Sequence, residues 1–315
     1  MPKKPKKIFD DKLNLIESLE DNLKKSYSAS ERWLLSRLIN DMIPELDVEN
    51  GQIKNNNSNI NKLVSKLNAI FRDLRTGRNA DIVDDVLKGF GKISKSNAGY
   101  FAIASEFLPD KFKGVNKSVE KIMRKSLGFD PAGKIIADSF IDTIGKNNGI
   151  NQQLREQAIR SIQSGKSVKD FTDQLKDQIL TDKDGLGVLN KHYGPTVSDR
   201  YAQYDRAESK EYADKVGMKA FIYAGGRVRD TRKFCCQRNS LVFTTEEAQK
   251  WTSLKFAGKN TGYSPLIDLG GYNCRHSTQW ISNRAAARLR KDLDVNDKGE
   301  LIFKKGERKQ RLNKC

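Results

Sequence analysis

Cys235, Cys236, Cys274 and His276 are the residues of this sequence best suited to chemistry, because they bring three thiols and one imidazole into one short region. Thiolates and imidazoles are the donors of tetrahedral zinc, so these four residues can be written as one ligand set. Their spacing weakens that reading. Zinc motifs usually separate paired cysteines by two residues, and adjacent cysteines reach one ion only under strain. The preferred reading needs no cofactor: Cys235 and Cys274 pack as small buried thiols that hold two loop ends, able to join as a disulfide in an oxidising setting. A nucleophile and base built from Cys274 and His276 is the least favoured, since side chains two apart on a strand point the same way without an attacking geometry. The chain has only one other histidine, His192, which lies beside Tyr193-Gly194-Pro195, an expected surface turn. No catalytic residue is expected. Neither a phosphate loop nor a dinucleotide fingerprint is present, and Gly225-Gly226 reads as a turn.

Several short elements must position these groups. Ala220–Tyr223 reads as a strand and Ala224-Gly225-Gly226 as its turn, followed by the segment Arg227–Cys235. Leu241–Phe243 is a second strand, and Thr244 with Glu247 forms a capping box for a helix through Trp251. Leu269–His276 then leads to Trp280. Gly270, Gly271, Asn273, Cys274 and His276 are expected to fold back on Arg232–Cys236, placing Cys235 or Cys236 beside Cys274. Arg229, Asp230, Arg232 and Arg275 are expected to make buried or half-buried ion pairs and helix-end contacts.

Upstream, apolar residues from residue 10 to about 215 recur at three and four, the helical period. Ile16, Leu19 and Leu23 form one stripe, and Ser28 with Glu31 looks like a capping box that starts a second helix at Trp33. A polar, asparagine-rich loop is expected over 51–59, suited to recognition. A helix carrying Ile60, Leu63, Leu67, Phe71 and Leu74 should then end near Gly77. Further helices are expected at 79–88, 98–108, 116–126 and 131–145, with 98–108 apolar nearly all round and therefore buried. Leu154, Ala158 and Ile162 mark a helix closed by Gly165. Ser167 and Asp170 cap the next, which buries Phe171, Leu175 and Ile179. Gly185 and Gly187 suggest a joint before a long polar helix over 196–215.

Lys and Arg outnumber Asp and Glu by 58 to 40, a surplus of +18 that favours polyanionic partners. With 37% hydrophobic and 31% charged residues, the chain is polar yet not composed like a disordered one. Its 315 residues are enough for two cores. Four cysteines are too few for a secreted disulfide framework, and no stretch has the length and apolarity of a membrane span. Synthesis in a reducing cytoplasm is the natural expectation, with the basic start Met1–Lys7 a solvated tail rather than an address.

The ordered set Arg229-Asp230, Arg232-x-Phe234-Cys235, Thr244-x-x-Glu247 and Gly271-Tyr272-Asn273-Cys274-Arg275-His276 resembles the C-terminal module of the Mu F-like minor head proteins of tailed bacteriophages. The resemblance covers about residues 150–282, with 270–276 its most specific piece. It implies a non-enzymatic, low-copy structural protein of the virion head, contacting the portal or the major capsid protein and assisting head assembly; whether it leaves with the DNA stays open. The sequence therefore divides into a helical, elongated, portal- or capsid-contacting region (1–150), a Mu F-like module (151–283) and a basic tail (284–315). The fold is mainly α with a small α+β module. The alternatives are a phage-borne toxin or nuclease using the same module, and a non-specific DNA-binding protein. Residues 284–315 hold eleven Lys and Arg against five acids. A helix is expected around Ala285–Leu289, an edge strand at Leu301–Phe303 and a disordered end. Lys304, Lys305, Arg308, Lys309 and Arg311 are the candidate contacts to packaged DNA.

Overall fold

A computed structural model describes residues 3–105, 117, 121, 124–125, 127–146, 148–180, 187–226, 228, 230–307 and 310–315. Gly185, Arg227, Arg229, Arg308, Lys309, Phe107, Leu108 and most of the expected helix at 116–126 lie outside them. In chain order the elements are α1 (Lys3–Arg37), β1 (Val48–Glu49), β2 (Gln52–Ile53), α2 (Asn57–Thr76), α3 (Arg78–Ala104), α4 (Phe140–Lys146), α5 (Asn148–Gln163), α6 (Val168–Leu180) and α7 (Val188–Lys215). There follow β3 (Ala220–Ala224), α8 (Lys233–Arg238), β4 (Val242–Thr244), α9 (Thr245–Gln249), α10 (Pro265–Asp268), β5 (Ser277–Ile281), α11 (Asn283–Leu289), β6 (Leu293–Val295) and β7 (Leu301–Phe303). The chain is mainly α and ends in a small α+β module, as the periodicities predict. Among the described residues no helix is long and apolar enough to cross a membrane.

Two compact units divide the chain, and both are discontinuous in sequence. One comprises Met1–Ser18, Gly89–Met123 and Thr196–Cys315, the other Leu19–Lys88 and Arg124–Pro195. They do not follow the expected divisions at 150 and 283, because α1, α3 and α7 each give residues to both.

The second of these units is helical. Leu63, Leu67, Ile70 and Leu74 of α2, Leu154, Ala158 and Ile162 of α5, and Phe171, Leu175 and Ile179 of α6 are all buried, so the expected stripes do form its core. Ser167 Oγ accepts the Asp170 amide, capping α6 as expected. The expected 51–59 loop is partly ordered: Asn50 and Gly51, both at positive φ, turn β1 into β2. Asn56 caps α2, and fully buried Asn59 bonds the backbone of Asp47 and Lys54. These asparagines are spent on holding the loop.

Three expectations from the sequence are corrected by the helices of this unit. Helix α1 runs unbroken through Ser28 and Glu31, whose side chains serve another helix instead. Glu31 Oε1 accepts the Leu189 and Asn190 backbone amides at 2.8 and 2.9 Å and so satisfies the free start of α7, while Ser28 Oγ accepts the Asn190 side-chain Nδ2 at 3.0 Å. The expected helix at 131–145 shrinks to α4, because Pro131 and Gly133, the latter at positive φ, sit in a turn closed by the Phe129–Ile135 bridge. His192–Pro195 lies within α7 rather than in a turn.

In the other unit, β3 is the centre of an antiparallel sheet ordered β4-β3-β5. Phe221 stands opposite Phe243 on one side and Trp280 on the other, and Trp251 packs edge-on to it. The expected capping box of Thr244 and Glu247 is present. Residues 284–303 belong to this module rather than to a separate tail: Ala286 and Leu293 share one apolar cluster with Ala220, Val242 and Ile281. The expected helix and edge strand appear as α11 and β7, and β7 pairs with β6.

The C-terminal part of α7 is polar yet buried. Tyr201, Tyr204, Asp205, Glu208 and Tyr212 recur at three and four and share one face, with Asp205 and Glu208 fully inaccessible. Buried Lys12 pairs with Asp205 at 2.7 Å, while Asn97 and Ser94 donate to Glu208 at 2.9 and 2.7 Å. Tyr100 and Phe101 of α3 are buried, as expected of the apolar helix, although Ile103 is 41% exposed.

Candidate functional site

Three segments converge below the central strand: the end of β3 with Tyr223, helix α8 with Cys235, and the loop from α10 to β5 with Gly270–His276. Cys235 Sγ lies 3.8 Å from Cys274 Sγ, and Cys274 Sγ lies 3.8 Å from His276 Nδ1. Tyr223 Oη reaches both sulfurs, donating to Cys235 at 3.2 Å and standing 3.8 Å from Cys274. All four side chains are buried. Gly270 closes the group from above: its N–H donates to Cys274 Sγ at 3.3 Å, and a Cβ there would meet Cys235 Sγ at 2.2 Å. Gly271 has φ +85° and lies against the Gly258 carbonyl, leaving no space for a side chain.

The loop is held from behind by α7. Arg206, fully buried, donates through Nη1 to the carbonyls of Cys274 at 2.9 Å and His276 at 2.8 Å, and through Nε to the carbonyl of Ile267. Asp199 accepts the Asn273 amide at 3.1 Å, while Gln203 bridges Asp199 and Asp268. Arg232 Nη1 points to the Gly270 carbonyl at 3.4 Å. A small loop without regular backbone pairing thus has its carbonyls bonded by side chains.

The two thiols do not titrate alike. The hydrogen bond from Cys235, with help from His276 and the Arg206 charge, holds Cys274 well below the usual thiol range despite burial. The hydrogen bond to Cys274, together with burial, pushes Cys235 up. Burial also drives the Tyr223 phenol well above its ordinary value.

Cys235, Cys274 and His276 together are able to hold a metal ion, their candidate ligand atoms all lying within 4.8 Å of one another. The donor set fits a borderline-soft divalent ion. His276 Nε2 is buried with no hydrogen-bond partner, so the imidazole is incompletely satisfied by the protein alone.

The expected fold-back of Gly270, Gly271, Asn273, Cys274 and His276 on the Arg232–Cys236 segment is thus present. Cys236 is not a fourth ligand. It forms a disulfide with Cys315, because neighbours on a helix point about 100° apart and only Cys235 faces the loop. Asp230 and Arg275 are exposed, and Arg232 is half-buried against a carbonyl. Buried ion pairs lie elsewhere: besides Lys12–Asp205, Arg290 binds Glu247 at 2.6 Å and Asp292 through a second nitrogen at 2.5 Å. Lys304, Lys305 and Arg311 are exposed, with Lys304 3.8 Å from Asp294. The end of the chain is docked, not free: Asn313 bonds the Gln237 and Asn239 carbonyls, and Gln310 the Val242 carbonyl. Sequence reasoning missed Tyr223, which reads as a core strand residue, and Arg206, which stands five and six residues from Tyr201 and Tyr212 and so on another side of α7, where helical spacing gives no sign of burial. No family model, curated protein or solved structure matches this chain.

Proposed function

We propose that this chain is a non-enzymatic minor head protein of a tailed bacteriophage, located in the virion at the portal vertex or on the inner capsid surface. One observation carries the reading. The residues that give the resemblance to Mu F-like proteins, from Arg232 through Cys235 and from Gly270 through His276, interlock around one buried thiol–imidazole group instead of lying scattered. Such a group under a glycine-tight loop favours a structural tie over a substrate site, since burial leaves little room for a reacting molecule. Its partners are the portal or the major capsid protein, and packaged DNA. The ion suited to this tie is zinc, bound by Cys235, Cys274 and His276, with no catalytic part. Mass spectrometry and cryo-EM of proheads and virions from the encoding phage should find the protein in modest copy number. Its absence from both particles would defeat the proposal.

A further inference from the structure

The three-residue tie has a fourth donor that the sequence does not suggest. A structural zinc site is closed, with four tetrahedral ligands at about 2.3 Å for sulfur and about 2.0–2.1 Å for nitrogen. Two sulfurs at that bond length stand about 3.8 Å apart across a tetrahedral edge. The observed Cys235–Cys274 separation is 3.8 Å. A sulfur–nitrogen or sulfur–oxygen edge is slightly shorter, about 3.5 Å. Cys274 Sγ to His276 Nδ1 is 3.8 Å, and Tyr223 Oη stands 3.2 and 3.8 Å from the two sulfurs. Four of the six edges of such a tetrahedron therefore stand near the required lengths before any ion is placed, and the donors of Cys235, Cys274 and His276 all lie within 4.8 Å of one another.

We propose that Tyr223 completes the site, so that Cys235, Cys274, His276 and Tyr223 form a closed zinc centre of two thiolates, one imidazole and one phenolate; this rests on the zinc reading of the cluster. The Gly270 N–H bonded to Cys274 Sγ is the outer hydrogen bond that a metal-bound thiolate accepts. Arg206, which fixes the carbonyls on both sides of the Cys274–His276 turn, sets the separation of two ligands. Binding replaces the thiol protons of Cys235 and Cys274 and the phenol proton of Tyr223, all passing to solvent. A centre of this kind joins the end of β3, α8 and the closing loop in one step.

The test uses the full chain, stripped of metal and titrated with zinc chloride. The expected result is one zinc per chain, an ultraviolet difference signal of phenolate formation, and an X-ray absorption first shell of two sulfurs and two light atoms. Tyr223→Phe should weaken zinc by more than the roughly 10–100-fold that loss of an outer hydrogen-bond partner costs. Zinc bound to the wild type without a phenolate signal would overturn the Tyr223 assignment while leaving the zinc reading intact. So would a folded Y223F that loses affinity only within that outer-partner range. Failure of the wild type to bind zinc at all would remove both, and Cys235→Ser and Cys274→Ser should each abolish binding.

Discussion

Arg206 Nη1 donates to the carbonyl oxygen of Cys274 at 2.9 Å from a side chain that is fully buried, so a cation on α7 sets the backbone of the loop that carries the thiol–imidazole group. Replacing it with methionine keeps the volume but leaves the carbonyls of Cys274, His276 and Ile267 without their donor. Unsatisfied buried acceptors cost about 1–3 kcal/mol each, so Arg206→Met should lose roughly 3 kcal/mol or more in urea unfolding. Cys235 and Cys274 should also react faster with a thiol dye, while Arg206→Lys, which lacks the planar fork, should fall between. Wild-type stability together with protected thiols in R206M would show that the loop does not need the clamp.

A pH effect follows from the buried face of α7. Burial raises Glu208 above its ordinary 4.5, opposed by hydrogen bonds from Asn97 and Ser94. An acid raised in the folded state binds its proton more tightly there than in the unfolded chain. Its stabilising contribution is therefore complete below about 4.5 and is lost as pH rises through the higher native value. Glu208→Gln removes this titration while keeping one acceptor and one donor for Asn97 and Ser94. Compared with the wild type, E208Q should lose less stability as pH is raised from 4 upward, measured by urea midpoints across the series. Parallel curves for the two proteins would mean that Glu208 does not titrate in that window.

Much of the module was legible in the sequence because its signals are local. The apolar run Ala220–Tyr223, the Thr244/Glu247 box and the need to tie two loop ends each involve residues whose partners lie nearby or carry a thiol. What escaped was decided at long range. Ser28 and Glu31 fit a capping box in spacing, yet the amides they satisfy belong to Leu189 and Asn190, which spacing cannot reveal. Helix α7 reads as polar on average, and only the position of Asp205 and Glu208 on the tyrosine face marks them as interior. Cys235 and Cys236 are indistinguishable by type, and the direction of α8 separates them.

The Cys236–Cys315 disulfide closes a long loop, with 79 residues of separation. Cross-links over loops of that size commonly contribute about 2–5 kcal/mol, mainly by restricting the unfolded chain. Protein prepared without reductant should show two reactive thiols when denatured, and four after reduction. Cys315→Ser or dithiothreitol should lower the thermal midpoint and speed tryptic cleavage after Arg311, because the cross-link then no longer adds to the hydrogen bonds by which Gln310 and Asn313 hold the chain end to the module. Four thiols in unreduced protein would place the pair in its reduced form and leave only the hydrogen bonds.

Cations near the end of the chain are not equally able to meet DNA. Arg290, one of those counted in residues 284–315, is held inside by Glu247 and Asp292, so it has no charge to offer a phosphate. Lys305 and Arg311 are exposed, and Lys304 has a distant carboxylate at 3.8 Å, so these three contribute to the basic surface of that stretch together with exposed Arg284, Arg288, Lys291, Lys298 and Lys314. Phosphate contacts carry no sequence information, and each one made releases condensed counterions. Binding to duplex DNA should thus be non-specific and weaken steeply with salt. Replacing Lys304, Lys305, Arg308, Lys309 and Arg311 with glutamine should lower affinity and flatten the log–log salt slope by roughly 0.9 for each phosphate no longer neutralised. Arg290→Gln, by contrast, should cost stability while leaving the slope unchanged in the fraction that remains folded. If the wild-type protein shows no salt-dependent affinity for DNA, these cations face an acidic protein surface, and the portal or capsid becomes the partner to examine by cross-linking.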